Sequence, residues 1–236
     1  MRPLARTATA ALCTVTALGP TAACDTFFDD ARSAAPYARL TGPEVVNKAL
    51  AATRGAKSVR MTVETTSPEG PVEAFVATDV RGECTVTLSM GVAGTMELVR
   101  TGGTVYTLSD AAMLRSAPAS QARKLTGRWV KPATGDRHAK LAERYCDRKE
   151  FLDLLASKSG TARKGKPATL DSVPTLTVTG RTDDGTWTAS IATEGKPYLL
   201  RTRLTDGARG NGRPLTVEFS EFDKPFTAKK PKISPA

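Results

Sequence analysis

Cysteine thiols are the side chains whose chemistry this sequence predicts most directly. Of the four cysteines, Cys13 and Cys24 lie near the N-terminus, and Cys84 and Cys146 lie in the body of the chain. Cys24 follows Ala23 at the first position after a bond that a signal peptidase can cut, where a thiol can be diacylated. We therefore predict that Cys24 carries a diacylglyceryl group. An ordinary secreted protein that begins with an unmodified Cys24 is the alternative.

The segment before Cys24, residues 1–23, is predicted to be a signal peptide. Two arginines lie within residues 1–6, residues 7–19 are uncharged and rich in Ala, Leu, Val and Thr, and small side chains precede the cysteine. The apolar stretch is shorter than the about 20 residues that a membrane-spanning helix needs. The residues before Cys24 resemble a bacterial lipobox, although Thr21 stands where that pattern usually has leucine. We expect the mature chain to be anchored at the extracytoplasmic face of the cell membrane.

The start of the mature chain, residues 24–40, is predicted to be a lipidated N-terminus and a tether. These residues are polar overall and show neither helical nor strand periodicity. Phe27 and Phe28 lie close to the anchor, where they would either dip into the lipid headgroups or simply be tolerated. The body of the protein is therefore expected to begin near residue 41.

The charge of the chain is strongly basic. Removing the two leader arginines lowers the net charge from +10 to +8. Basic and acidic residues alternate along most of the chain, and the one basic run is the C-terminal tail, residues 229–236, with three lysines. We interpret the excess as solvated surface, with attraction to anionic headgroups or wall polymers as the alternative. Nucleic acid is not expected as a partner, and the sequence identifies no protein partner.

The two cysteines of the body predict a disulfide. Once Cys13 has left with the leader and Cys24 is acylated, Cys84 and Cys146 remain as an even pair in an oxidising compartment. Their bond would close a loop of about 60 residues and contribute roughly 4 kcal/mol to stability. Two free buried thiols or a redox pair are the alternatives. No C-x-x-C motif is present, so catalysis by these thiols is not expected.

Other residues that could support catalysis are sparse. The single histidine, His138, lies among basic residues and lacks the second ligand or the serine elbow of a metal site or a catalytic triad. Residues 160–166 match the phosphate-binding pattern G-x-x-x-x-G-K. Pro167 stands where that motif needs Ser or Thr, and a strand is predicted to follow in place of a helix. We therefore expect neither a cofactor nor an enzymatic activity.

The elements that must position these residues follow from local patterns. A capping box at Thr41 and Glu44 predicts a helix to about residue 54. From Val59 to residue 108, apolar and polar residues alternate through five strands joined by short turns. Helical segments over 109–125 and 136–155 flank a short strand around Trp129, and five more strands end near residue 221. The order predicts an α+β fold with one large curved antiparallel sheet of about eleven strands, its apolar face covered by helices. Two small domains divided near Trp129 are the alternative.

A family resemblance rests on seven short segments of the body. They are residues 56–61, 83–88, 97–100 together with 104–106, 127–131, 146–147, 173–174 and 193–198. In these segments residues 41–228 resemble the LolA-like superfamily, and in detail the actinobacterial lipoproteins of the LppX and LprG type. Met113 and Leu114 depart from the family pattern, where a bulkier aromatic side chain would be expected.

The resemblance implies an open half-barrel whose concave face and helices enclose a hydrophobic cavity, and a protein that carries acylated lipids. We therefore expect a lipid-binding or lipid-transfer lipoprotein; a surface interaction or sensor module without lipid is the alternative. If the cavity is open, Leu88→Trp should abolish lipid uptake without unfolding the protein. If the same side chains form an ordinary packed core, no such cavity exists. The candidate cavity residues are Val59, Met61, Val63, Val86, Leu88, Met96 and Leu98.

Overall fold

A computed structural model describes residues 36–182, 185–206 and 213–233. The predicted signal peptide, Cys24 and most of the predicted tether lie outside these ranges. Within them, no helix is both long enough and apolar enough to cross a membrane.

One antiparallel sheet of ten strands is the frame of the fold. Its spatial order is β5-β4-β3-β2-β1-β10-β9-β8-β7-β6, so the first and last strands pair at the centre and β5 and β6 form the two edges. Because the edge strands do not pair with each other, the sheet stays open. The predicted α+β class and the open curved antiparallel sheet are confirmed. The strands are β1 (Ser58–Ser67), β2 (Gly70–Asp79), β3 (Cys84–Ser89), β4 (Thr95–Thr101), β5 (Thr104–Ser109), β6 (Arg163–Leu170), β7 (Val173–Thr182), β8 (Gly185–Ala192), β9 (Leu199–Asp206) and β10 (Leu215–Ser220).

The strand predicted around Trp129 is only a bridge in the structure. Thr107 of β5 and Val130 exchange two backbone hydrogen bonds of 2.9 Å, and the pairing goes no further. Pro132 follows directly after Lys131 and has no N–H group, so it cannot continue a ladder. The sheet therefore has ten strands, close to the about eleven predicted.

Four α-helices accompany the sheet within the described ranges. They are α1 (Gly42–Arg54), α2 (Ala119–Leu125), α3 (Arg137–Tyr145) and α4 (Arg148–Ala156). The third predicted helical region is divided in two, because Cys146 ends α3 and Asp147 accepts a hydrogen bond from Lys149 N to start α4. We call this junction, Cys146 and Asp147, the helical elbow.

Helix α1 begins at the predicted capping box. Thr41 Oγ1 accepts a hydrogen bond from Glu44 N, and the Glu44 carboxylate accepts one from Thr41 N at 2.7 Å. A glycine is required at the next position, because a Cβ on Gly42 would lie 2.2 Å from the carbonyl oxygen of Ala162. The helix thus packs its first turn directly onto the chain that enters β6.

The core lies between the helices and one face of the sheet. Helix α1 packs on β6, β8 and β9 and against α4, whereas α3 packs on β3 and β4. The alternating apolar residues of the strands face these helices, as the period of two predicts. The largest fully buried side chains of the core are Trp187, Leu50, Met61, Leu88, Met96, Leu98, Leu152, Leu155, Ile191 and Leu199.

The chain after β10 is held to the sheet by Asp223. Its carboxylate accepts hydrogen bonds from Lys196 Nζ at 2.7 Å, Tyr198 Oη at 2.6 Å and Lys57 N at 2.7 Å. These three donors lower the pKa of Asp223 far below its ordinary value. The preceding Phe222 stacks on the Tyr198 ring with centroids 3.9 Å apart. Asp223 therefore joins β10, the β8–β9 connection and the start of β1.

We expect Asp223→Asn to lower the free energy of unfolding at pH 7 by about 1–2 kcal/mol, since charged hydrogen bonds at a partly exposed site are lost. The folded-state pKa is depressed, so the carboxylate contributes its stability above the unfolded pKa of about 4, and that contribution is lost as the pH falls below it. Urea titrations between pH 7 and pH 3 should show a shallower decline for the variant than for the wild type.

Glu221→Gln is the matched control for this comparison. Its carboxylate pairs with Arg60 at 2.7 Å on the surface, with both side chains at least 40% exposed. A change of at most about 0.5 kcal/mol is expected for such a pair. Equal effects of the two substitutions would contradict the special role given to Asp223.

Candidate functional site

The seven predicted cavity residues form part of the packed core in this structure. Each is at most 2% exposed, and each belongs to one apolar cluster with residues of α1 and α4. Leu88, for example, lies between Ala74 of β2 and Met96 of β4 on the covered face of the sheet. Val63 differs from the others in reaching a cleft at the centre of the sheet. Cys24 lies outside the described residues.

The predicted disulfide is present between Cys84 and Cys146. Their Cα atoms are 5.7 Å apart, and both residues are buried. The bond attaches the helical elbow to the start of β3. Thr78 Oγ1 adds a hydrogen bond of 3.3 Å to the carbonyl oxygen of Cys146. The elbow is therefore fixed to the sheet by a covalent bond and a buried hydroxyl.

Arg148, one residue after the elbow, fixes α4 to α1. Its Nη2 donates to the carbonyl oxygens of Arg54 at 2.9 Å and Ala56 at 2.7 Å, which satisfies groups at the C-terminal end of α1. Burial lowers the pKa of Arg148, although the side chain stays charged. The elbow thus has fixed positions relative to both the sheet and α1.

A cleft of about 160 Å³ lies between the helical elbow and the central strands β1 and β10. We call it the elbow cleft. Most of its interior is apolar or aromatic, and a charged pair from α3 and α4 lies beside it. The cleft lies at the boundary between the part of the sheet that α3 covers and the part that α4 and α1 cover. The lining residues are Val63, Thr65, Leu141, Arg144, Tyr145, Glu150, Phe151 and Leu215.

An ion pair and two aromatic rings shape the elbow cleft. Arg144 donates to the Glu150 carboxylate across the elbow, and this hydrogen bond raises the pKa of Arg144. Both charged side chains are well exposed, so they keep their hydration while the rings behind them are covered. The Tyr145 and Phe151 rings lie 6.0 Å apart and tilted by 32°. Burial raises the pKa of Tyr145, which stays neutral at physiological pH. The cleft thus combines an apolar and aromatic interior with one exposed ion pair.

A second and larger cavity, of about 810 Å³, lies where β6 begins. Arg163 and Arg181 line it, together with four threonines and Trp187. The Trp187 indole lies against Gly180, where a Cβ would come within 2.3 Å of the ring. Its Nε1 is buried and has no hydrogen-bond partner among the described residues. Two arginines make the lining of this cavity basic, whereas the elbow cleft contains an arginine and a glutamate that pair with each other.

The remaining motifs singled out in the sequence have structural positions. Residues 160–166 contain a 3-10 turn and the start of β6, so a strand follows the G-x-x-x-x-G-K match. His138 lies half-buried on α3. Among residues 36–182, 185–206 and 213–233, no group of three or more His, Cys, Asp or Glu side chains could hold a metal ion.

Sequence reasoning did not place the elbow cleft. Its residues come from β1, α3, α4 and β10, which are separated by up to nearly two thirds of the chain. A usable signal was the amphipathic pattern of α4, where Phe151 follows the elbow. The pairing of β1 with β10 that brings Val63 next to Leu215 had no signal in the sequence.

The arrangement, in which helices cover one face of an open curved antiparallel sheet, is a LolA-like fold. No protein-family model matches the chain, and no curated protein matches it in sequence. Among solved structures, LprF from Mycobacterium bovis is similar over 80% of this chain and 96% of LprF, with a TM-score of 0.55 and 16% identity. The LppX and LprG type of fold predicted from the sequence segments is thereby confirmed.

Two other structures are more distant. An uncharacterised conserved protein from Thermus thermophilus covers 75% of this chain and 85% of its own length, with a TM-score of 0.37 and 16% identity. A putative outer membrane lipoprotein-sorting protein domain from Vibrio parahaemolyticus covers 79% of this chain and 94% of its own length, with a TM-score of 0.26 and 9% identity. With TM-scores below 0.5, these two likenesses say nothing further about this protein.

Proposed function

We propose that this protein is a lipoprotein, anchored by diacylglyceryl on Cys24 at the extracytoplasmic face of the membrane, that binds an acylated lipid without catalysing a reaction on it. The elbow cleft is the observation that carries the proposal. It is an apolar opening through the helical cover at the centre of a LolA-like sheet. The leader before Cys24 and the fold shared with LprF support the proposed anchoring and ligand class.

The size of the cleft determines how such a ligand would enter. Ligand pockets usually measure about 300–1,000 Å³, whereas the elbow cleft measures about 160 Å³. Acyl-chain entry would therefore displace the half-buried lining residues Leu141, Phe151 and Leu215. Each buried methylene contributes about 0.8 kcal/mol, so ten methylenes would supply roughly 8 kcal/mol gross toward this rearrangement. The elbow itself would stay in place, because the disulfide and Arg148 fix it.

Filling the cleft with a side chain tests the proposal. Leu215→Trp should reduce the uptake of a fluorescent fatty acid at least about tenfold, because the indole would occupy the space that the acyl chain needs. Leu215 is half-buried, so the larger ring can be accommodated with a limited loss of stability. Equilibrium titration of the purified protein, with thermal unfolding as a check of the fold, gives the measurement.

Val105→Trp is the matched control, because Val105 is equally half-buried but lies on β5 at the edge of the sheet. It should bind the fatty acid within about twofold of the wild type, a difference of only ~0.4 kcal/mol. Organic extraction of protein purified from its own host should also release a lipid. Undiminished uptake by Leu215→Trp, together with no extractable lipid, would rule out the lipid-binding proposal and favour the interaction or sensor module.

A further inference from the structure

The edge strand β6 carries a concentration of positive charge that the rest of the fold does not balance. Its sequence, RKGKPATL, contains Arg163, Lys164 and Lys166 and no acidic residue, and all three side chains are exposed. Arg181 lies nearby, since Thr161 Oγ1, just before β6, donates to its carbonyl oxygen at 2.9 Å. In the part of the chain that the structure describes, none of these four cations takes part in an ion pair.

Cations on the outer face of the sheet are arranged differently. Arg60 pairs with Glu221 at 2.7 Å, and Arg201 pairs with Glu218 at 2.6 Å. The opposite edge strand, β5, has the sequence TVYTLS and carries no charge. Of the two edge strands, β6 is therefore the one that carries cations.

The acidic groups near β6 are few. Glu44 is influenced by Lys164, but its carboxylate caps α1 through hydrogen bonds with Thr41, which are the main cause of its lowered pKa. Asp183 and Asp184, which follow β7 in sequence, are outside the described residues. Asp171, the residue after β6, is exposed and lies 3.9 Å from Arg201, so the described surface is basic at the start of β6.

The same edge receives the chain that arrives from the N-terminus. Lys164 Nζ donates to the carbonyl oxygens of Tyr37 at 3.0 Å and Ala38 at 3.2 Å. Tyr37 Oη donates to the carbonyl oxygen of Ala192 at the end of β8. Residues 37 and 38 are thus fixed beside β6. The chain between Cys24 and Pro36 can span at most about 40 Å.

We propose that β6 and the adjoining Arg181 form a surface that faces the membrane and binds anionic phospholipid headgroups. This inference rests on the proposed anchoring at Cys24, because the anchor holds this edge within about 40 Å of the bilayer. Charge complementarity identifies the partner, since anionic leaflets attract basic surfaces within about one Debye length, roughly 8–10 Å. The orientation would point β6 toward the lipid and leave β5 away from it.

The basic cavity at the start of β6 provides a place for a headgroup on this surface. Arg163 and Arg181 line it, and neither takes part in an ion pair with the described residues. Guanidinium groups bind phosphate through paired hydrogen bonds. The cavity and the edge strand therefore favour the same ligand chemistry.

Vesicle binding without the acyl anchor tests the orientation. The full chain carrying Cys24→Ala should bind vesicles of 30% phosphatidylglycerol in phosphatidylcholine, and binding should weaken as salt is raised. Adding Arg163→Glu and Lys166→Glu should weaken binding at least about tenfold, since each basic residue near an anionic surface contributes appreciably. Because the anchor is removed, the outcome does not depend on whether Cys24 is lipidated.

Arg123→Glu with Lys124→Glu is the matched control. It makes the same change in net charge on α2, whose residues are not buried and which adjoins β5. Binding within about twofold of the parent is expected, a difference of only ~0.4 kcal/mol. Circular dichroism checks the fold of each variant, and Arg163→Gln with Lys166→Gln repeats the test with a milder change.

Several results would overturn the membrane-facing surface. They are equal losses in the β6 and α2 variants, equal binding to pure phosphatidylcholine vesicles, and binding to a soluble anionic polysaccharide without binding to vesicles. Tenfold weaker vesicle binding confined to the β6 variants would support it. Fatty-acid uptake by the β6 variants should stay unchanged, which separates this surface from the elbow cleft.

Discussion

Replacing Cys84 and Cys146 together by alanine is expected to lower the free energy of unfolding by about 4 kcal/mol. The bond joins residues 62 positions apart, and on the chain-entropy model a loop of that length contributes roughly this amount. Loss of the disulfide should also loosen the native fold, because the same bond attaches the helical elbow to the start of β3. Denaturant titration of the oxidised wild type and the double variant gives the measurement.

Reduced wild-type protein is the control that separates the cross-link from packing. It retains both buried sulfur atoms but lacks the bond, so it should lose most of the same ~4 kcal/mol. Amide exchange should also rise in α3 and α4 more than in β7 and β8, because the elbow is the region that the bond holds. A loss of less than about 1 kcal/mol in the reduced protein would contradict this role.

Leu88→Ala is expected to cost about 2–5 kcal/mol, the usual range for a cavity in a packed core. Leu88 is 0% exposed and lies on the face of β3 that α3 covers. For the same reason, Leu88→Trp should overpack this region and destabilise the fold, by about 1–3 kcal/mol or more. An open cavity at Leu88 instead predicts that Leu88→Trp blocks lipid uptake in a protein that stays folded.

Two substitutions serve as controls for Leu88. Leu88→Met keeps nearly the same volume and should cost less than about 1.5 kcal/mol. Thr87→Ala changes the neighbouring side chain, which is exposed on the other face of β3, and should have an effect within about 0.5 kcal/mol. If Leu88→Trp left stability unchanged and abolished uptake, a cavity would have to exist at Leu88, contrary to the packing described here.

Local patterns predicted the elements well because their causes are local. The capping box at Thr41 and Glu44 fixes the start of α1, and the alternation of Val59, Met61 and Val63 fixes which face of β1 is covered. The strand around Trp129 was overestimated, because an apolar run does not reveal that its pairing stops before Pro132. The start of a helix and the covered face of a strand are determined by residues within a few positions of each other in the sequence.

The candidate site depended on contacts that local patterns do not contain. Alternation shows that Leu88 faces the helices, but it cannot show whether the opposite space holds side chains or a ligand. The elbow cleft combines Val63, Leu141 and Leu215, and only the pairing of β1 with β10 and the position of the elbow bring these three together. The family resemblance implies a cavity on the covered face of the sheet, and strand alternation alone does not distinguish that cavity from the packed core that was its alternative.

The pairing of β1 with β10 also has a consequence for the order in which the protein assembles. Each half of the sheet is a series of local hairpins, β1 to β5 and β6 to β10, and the two halves are joined through the central pair. The joining contacts connect residues about 150 positions apart, such as Thr65 and Leu215. Contacts of such long range form late, after the local ones. If the chain is exported N-terminus first, as proposed, it cannot complete its sheet until its last strand has crossed the membrane.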